Sequence, residues 1–136
     1  MVLIVCIDDN GGMMFNHRRQ SQDKAIRERI LTYTFGKTLW MNHYSKKQFV
    51  ETAPQINVDD AFLNKAACND YCFVENLDVA DFEELIHQII VFKWNRDYPF
   101  DFKFNIPLSQ GVWELCSSVD FIGNSHEKIT EEVYKR

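Results

Sequence analysis

The chain opens on an unbroken apolar run, VLIVCI (2–7), rich in β-branched residues. A run without polar alternation predicts a strand covered on both faces. Turn chemistry in DDNGG (8–12) ends it, and residues 13–21 read as loop. Apolar residues then recur at helical spacing at Ala25, Ile26, Ile30 and Tyr33. They predict a helix from near Gln22 to about Thr34, with Ser21 as its N-cap and Gly36 as its stop.

KTLWMNHY (37–44) reads as a second strand. A short helix over 45–51, capped by Ser45 and broken by Pro54, follows. A minor strand at 56–58 and a short helix over 59–67 come next. DYCFVEN (70–76) is a third strand, 79–88 a short helix, and QIIVFKWN (88–95) a fourth strand. Beyond a turn at 96–99 the pattern changes. FDFKFNI (100–106) alternates with period two, which predicts a half-exposed strand, and GVWELCSSVDFIG (111–123) reads as another. In KITEEVYKR (128–136) the faces do not separate cleanly, so its pattern alone fits a helix or a strand.

Strands alternating with helices, then strands alone, predict one α/β domain over 1–136. Its sheet is mixed and mainly parallel, is flanked by helices, and carries antiparallel strands at the C-terminal end. A length of 136 residues fits one domain. Few Gly and Pro, with 11 Phe, argue against disorder. A formal net charge of −5 argues against generic nucleic-acid binding. No apolar stretch is long enough to predict a membrane span, and the apolar start is too short for a signal peptide. Cys6, Cys68, Cys72 and Cys116 form no CxxC pair and read as reduced thiols, which predicts a cytoplasmic protein. His17, His43, His87 and His126 lie far apart, so no metal site is predicted. No Walker loop, GxGxxG, GxSxG or HExxH is present.

In an open α/β sheet, ligands bind beyond the carboxyl ends of the parallel strands. Here the apolar runs stop at Asp8-Asp9-Asn10, Asn42-His43 and Glu75-Asn76. The polar stretch FNHRRQSQD (15–23) is expected to hang over that rim. Arg18 and Arg19 suit a bidentate clamp on an anion. Asp23 suits a ligand anchor or general acid if burial raises its pKa. Plainer readings stand beside these. Asn and Asp also end strands and cap turns, two arginines also make a surface pair, and Asp23 also meets the helix dipole. Trp94, Asn95, Arg96 and Tyr98 suit stacking on a flat ligand, or a tight turn. His126 beside Glu127 reads as a turn.

Three segments together resemble dihydrofolate reductase. LIVCIDDNGGMMFNHRRQSQDKAIRERILTYTFGKTLWMNHYS is similar to that family's first strand, active-site loop, helix and second strand. NDYCFVENLDVADFEELIHQIIVFKWN resembles its later strand, helix and strand. FDFKFNIPLSQGVWELCSSVDFIGNSHEKITEEVYKR resembles its terminal antiparallel strands, with Trp-Glu-Leu and a closing strand of the form EVY-basic. The resemblance makes 128–136 a strand. It implies NADPH as cofactor and Asp23 as the carboxylate that holds the pterin.

The departures from that pattern concern the cofactor. The family's Gly-Arg-x-Thr, which grips phosphates, is replaced by Asn42-His43-Tyr44-Ser45. Its Gly-Gly pair is replaced by Glu75-Asn76, a carboxylate where a phosphate has to approach. The stretch between the second and third main strands is short. The expectation is therefore a small-molecule binder on this scaffold, without reductase activity, for a polar anionic or heteroaromatic ligand. Arg18, Arg19 and Asp23 would anchor it, with Asp8, Asn10, Asn42, Glu75 and Asn76 around it. Three alternatives stay open: an NADPH-dependent reductase, a metal-assisted phosphoesterase using Asp8 and Glu75, and a non-catalytic interaction protein.

Overall fold

The computed structural model describes residues 1–136. In chain order the strands and helices are β1 (Val2–Ile7), β2 (Gly12–Phe15), β3 (Arg18–Arg19), α1 (Lys24–Tyr33), β4 (Leu39–Met41) and α2 (His43–Lys46). There follow β5 (Ile56–Val58), β6 (Tyr71–Phe73), β7 (Gln88–Lys93), β8 (Phe102–Lys103), β9 (Glu114–Phe121) and β10 (Ile129–Lys135). Seven strands form one mixed sheet in the order β5-β4-β6-β1-β7-β10-β9. Neighbours from β5 to β7 pair in parallel, and β10 runs antiparallel to both β7 and β9. A small antiparallel sheet, β3-β2-β8, packs beside it. No helix is long and apolar enough to cross a membrane.

The unbroken apolar run of β1 is buried on both faces, as its pattern predicts. Leu3 and Val5 join Cys72, Val74, Ile89 and Val91 in one core cluster, which Met13 and Met14 of β2 also enter. Val2 and Ile4 join Phe73, Ile90 and Phe92 in a second cluster on the opposite face. There Ile26 and Ile30 of α1 cover the sheet together with Phe49. In register, Ile4 stands between Phe73 and Ile90.

Several local expectations are corrected. Residues 13–21 are not all loop, because β2 and β3 form a hairpin there. Its connecting residues Asn16 and His17 have φ of 52° and 61°, the left-handed backbone that a two-residue turn needs at both positions. Asp23, rather than Ser21, caps α1 by accepting from the Ala25 N–H at 2.8 Å. The helix expected over 45–51 is instead α2, where Asn42 accepts from the Ser45 N–H at 2.9 Å. The segments at 59–67 and 79–88 make only 3₁₀ turns, Phe62–Asn64 and Ala80–Leu85, neither with a side-chain cap. Each lacks the side-chain cap that α2 takes from Asn42. Of 100–106 only Phe102–Lys103 is strand, bracketed by Pro99 and Pro107, which have no N–H to give a ladder.

The strand order fixes what meets at the C-terminal rim. β4, β6, β1 and β7 are consecutive neighbours, so Asn42, Glu75, Asp8 and Trp94, which follow them, lie side by side. Phe73 helps hold this arrangement: its ring is buried and meets Phe49 edge-on, centroids 5.4 Å apart. Phe73→Ala is expected to cost about 3–5 kcal/mol. A urea titration should show an earlier midpoint with an unchanged slope.

Candidate functional site

Several of the rim residues converge. Arg19 reaches from β3 to Glu75, with Nε donating to Oε2 at 2.8 Å and Nη2 to Oε1 at 3.1 Å. Both side chains are largely buried, and such forked pairs are the stronger kind of charged hydrogen bond. The guanidinium lies 4.4 Å from the centre of the Tyr44 ring, and the Arg19 backbone N–H donates to the Tyr44 hydroxyl at 2.8 Å. Gln48 Nε2 adds a third bond to Glu75 at 3.0 Å. Alongside, Asn42 donates to the Asn76 side-chain oxygen at 2.8 Å. The carboxylate that would repel a phosphate is thus already matched by a cation.

Asp8 is buried and anchors the turn after β1. Its Oδ1 accepts from the N–H groups of Asn10 and Gly12 at 2.8 and 2.7 Å. Its Oδ2 accepts from Gln20 Nε2 at 3.1 Å and from the Tyr98 N–H at 3.2 Å. Gln20 Nε2 also donates to the Pro99 carbonyl at 3.3 Å. Both of its partners are acceptors only, which fixes the orientation of the amide. Gln20 Oε1 is left buried with no partner. Gln20 lines a cavity of about 10 Å³ together with Cys6, Met13, Arg19, Ser21, Val74, Glu75 and Trp94. That is room for about one water. Burial, and then the nearby Glu75, push the Cys6 thiol well above its usual range, which makes it a poor nucleophile.

Asp23 is buried and heavily bonded. It accepts from the N–H groups of Ala25 at 2.8 Å, Asn124 at 2.8 Å and Ser125 at 2.9 Å. The Ser125 hydroxyl at 3.2 Å and His126 Nδ1 at 2.8 Å complete the set. Burial alone would raise its pKa. The bonds from Ser125, His126, Asn124 and Ala25 outweigh it and hold the carboxyl far below the ordinary carboxylate range. The sequence-based condition for an acid role, a raised pKa, is therefore not met. A Cβ at Gly123 would come within 2.6 Å of Asp23 Oδ2, so the connection from β9 to β10 needs glycine at that point.

On its far side His126 places Nε2 2.9 Å from Ser21 Oγ and 3.4 Å from the Tyr98 hydroxyl. Trp94 lies against its ring, centroids 4.7 Å apart. Sequence reasoning read Ser21 as a cap and His126 as a turn. The two are 105 positions apart, and no local signal joins them. Arg18 and Asn10 do not enter the buried network. Arg18 is exposed, and Asn10 bonds to Asp97 at 2.8 Å on the surface. No group of three His, Cys, Asp or Glu residues stands close enough to hold a metal ion.

No protein-family model matches the chain, and no curated protein matches it. Among solved structures it is similar to dihydrofolate reductase from Enterococcus faecalis, complexed with NADP(H) and RAB-propyl. The TM-score is 0.70, the match covers 99% of this chain and 95% of that one, and the sequence identity is 12%. The fold is dihydrofolate reductase-like. At that identity the likeness carries the scaffold and not the chemistry.

On the dihydrofolate reductase-like scaffold, Asp23 joins the start of α1 to the connection between β9 and β10. Its pKa is lowered by folding. The stability it adds is therefore complete above the unfolded-state value of about 3.9 and is lost as pH falls below it. Asp23→Asn should lose on the order of 2 kcal/mol at neutral pH. Its stability should also fall less steeply than the parent's between about pH 4 and pH 2. Chemical denaturation of both proteins across that range checks this.

Proposed function

We propose that the protein binds a small polar ligand, heteroaromatic or anionic, in the crevice at the strand ends, and that it does not reduce dihydrofolate. Gln20 Oε1 carries the reading. It is a buried acceptor without a partner on a residue that lines a cavity shared with Trp94, Met13 and the Arg19–Glu75 pair. An orphaned buried acceptor costs about 1–3 kcal/mol, which a donor on a ligand recovers. Arg19 and Glu75 supply paired charge, Asn42 and Asn76 supply amide groups, and exposed Arg18 with Asn10 offers polar contact near the mouth. Asp8 and Asp23 hold the walls.

The case against reductase activity rests on the same groups. Asp23 already accepts five bonds, and a carboxylate offers about four lone-pair sites. A pterin would have to displace the loop at 124–126. The solved reductase it resembles was complexed with NADP(H). In this chain Glu75-Asn76 stand where the family pattern has its glycine pair, and Asn42-His43-Tyr44-Ser45 where it has the phosphate grip. The four free cysteines fit a reducing compartment such as the cytoplasm.

Thermal melts with pterins, purines, nucleotides and NADPH test the reading. A ligand at 100 times its dissociation constant adds about 2.7 kcal/mol. A heteroaromatic or anionic compound with an N–H donor is expected to raise the melting temperature. Arg19→Ala should weaken that binding by about tenfold or more, in line with the loss of one charged hydrogen bond. NADPH oxidation that depends on dihydrofolate would overturn the proposal, and so would the failure of every compound in these classes to bind.

A further inference from the structure

We propose that Ser21, His126 and Asp23 act as a nucleophile, base and positioning carboxylate that hydrolyse small acyl esters. The inference does not depend on the ligand binding proposed above. Its basis is a continuous line of hydrogen bonds: Ser21 Oγ to His126 Nε2 at 2.9 Å, and His126 Nδ1 to Asp23 Oδ2 at 2.8 Å. The order of atoms is the one that base-assisted serine attack requires, and such constellations are recognised by geometry rather than by fold or sequence order.

The protonation pattern follows from the partners. Asp23 is held ionised by the N–H groups around it, so it can only accept. Nδ1 of a neutral His126 must then carry the proton, and the lone pair of Nε2 faces Ser21. Trp94 against the ring fixes its plane. Asp23 and His126 are buried, whereas Ser21 is half-exposed. A sheltered base beside a reachable hydroxyl is the arrangement an acyl acceptor needs. The N–H groups of Ser21 and Gln22 make no hydrogen bond within the protein. The Gln22 N–H, directly after the nucleophile, is the donor available to a developing oxyanion.

The substrate class follows from the space. Ser21 borders the cavity of about 10 Å³, whose apolar wall is Met13, Val74 and Trp94. A space for about one water has no room for a long acyl chain, so the smallest acyl group, acetyl, with its ester oxygen left outside, is the class proposed. In the first half of the reaction Ser21 Oγ bonds to the ester carbonyl carbon, and its proton passes to His126 Nε2. The carbon–oxygen bond to the alcohol breaks, and the departing alkoxide takes that proton. In the second half water attacks the acetyl-Ser21 carbonyl, its proton passes through His126 to Ser21 Oγ, and acetic acid leaves. One ester and one water give one acid and one alcohol.

The same bonds would also exist if His126 merely tied the 124–126 loop to the start of α1. A fluorophosphonate probe read by mass spectrometry, with p-nitrophenyl acetate turnover, separates the two. The proposal expects one adduct, on Ser21, with fluoride as leaving group. Ser21→Ala should lose the adduct and at least 100-fold in turnover while keeping its melting temperature, because its hydroxyl makes a single bond. His126→Gln should lose both in its folded fraction. Asp23→Asn, which frees the imidazole to take the wrong tautomer, should lower kcat with KM unchanged in its folded fraction. No adduct on Ser21, an adduct only elsewhere, or equal turnover by the parent and Ser21→Ala would overturn the proposal.

Discussion

A buried charge has to be answered, and in this fold that charge is Asp23. An ionised carboxylate out of water costs several kcal/mol unless donors surround it. Here the donors come from both ends of the chain: Ala25 in the first turn of α1, and Asn124, Ser125 and His126 about 100 positions later. Satisfying it caps α1 and shapes the connection between β9 and β10. It also excludes a side chain at position 123 and sets the His126 tautomer. The single carboxylate thus links a helix start, a strand connection and the only histidine buried near the rim.

The rim repeats this logic with a second charge. Glu75 lies at the end of β6 among parallel neighbours, where it would be costly alone. Arg19 and Gln48 meet it. The pair lines a space of only about one water at the strand ends. Most of the stability comes from the two apolar faces of the central sheet, and the rim meets them through Met13, Val74 and Trp94, which belong to the core clusters and also line the cavity. The polar groups of the rim, Arg19, Glu75, Gln48 and Asn42, lie outside those clusters, so the chemistry they offer can differ while the scaffold stays the same.

How much of this could be read in advance depends on the range of the interaction. The central strands β1 and β7 were legible because an unbroken apolar run has few other solutions. The rim was legible as a set of places, since Asp8, Asn42 and Glu75 each end such a run. The family resemblance decided that 129–135 is strand, which its alternation left open. The pairings Arg19–Glu75, Asn42–Asn76 and Ser21–His126–Asp23 were not legible. Each joins residues 34 to 105 positions apart, and no local pattern encodes which polar group finds which. The β2–β3 hairpin was missed for another reason: Asn16-His17 lacks the glycine that usually marks such a turn.

The closed rim also constrains how anything enters it. The cavity is bounded on one side by the sheet and on the other by Arg19, Gln20 and Ser21 at the end of the hairpin. A ligand larger than water can occupy it only when that segment lifts, and lifting parts Arg19 from Glu75 and Tyr44. An open form lacking those contacts would be the minor one at rest. Apparent affinity is then the intrinsic affinity reduced by the open fraction. A ligand that offers its own anion to Arg19 and a donor to Gln20 replaces what opening removes, whereas an apolar one does not. On the proposed binding role, the Arg19–Glu75 pair would act as a filter as well as a lock, favouring ligands whose polarity matches the bonds they break.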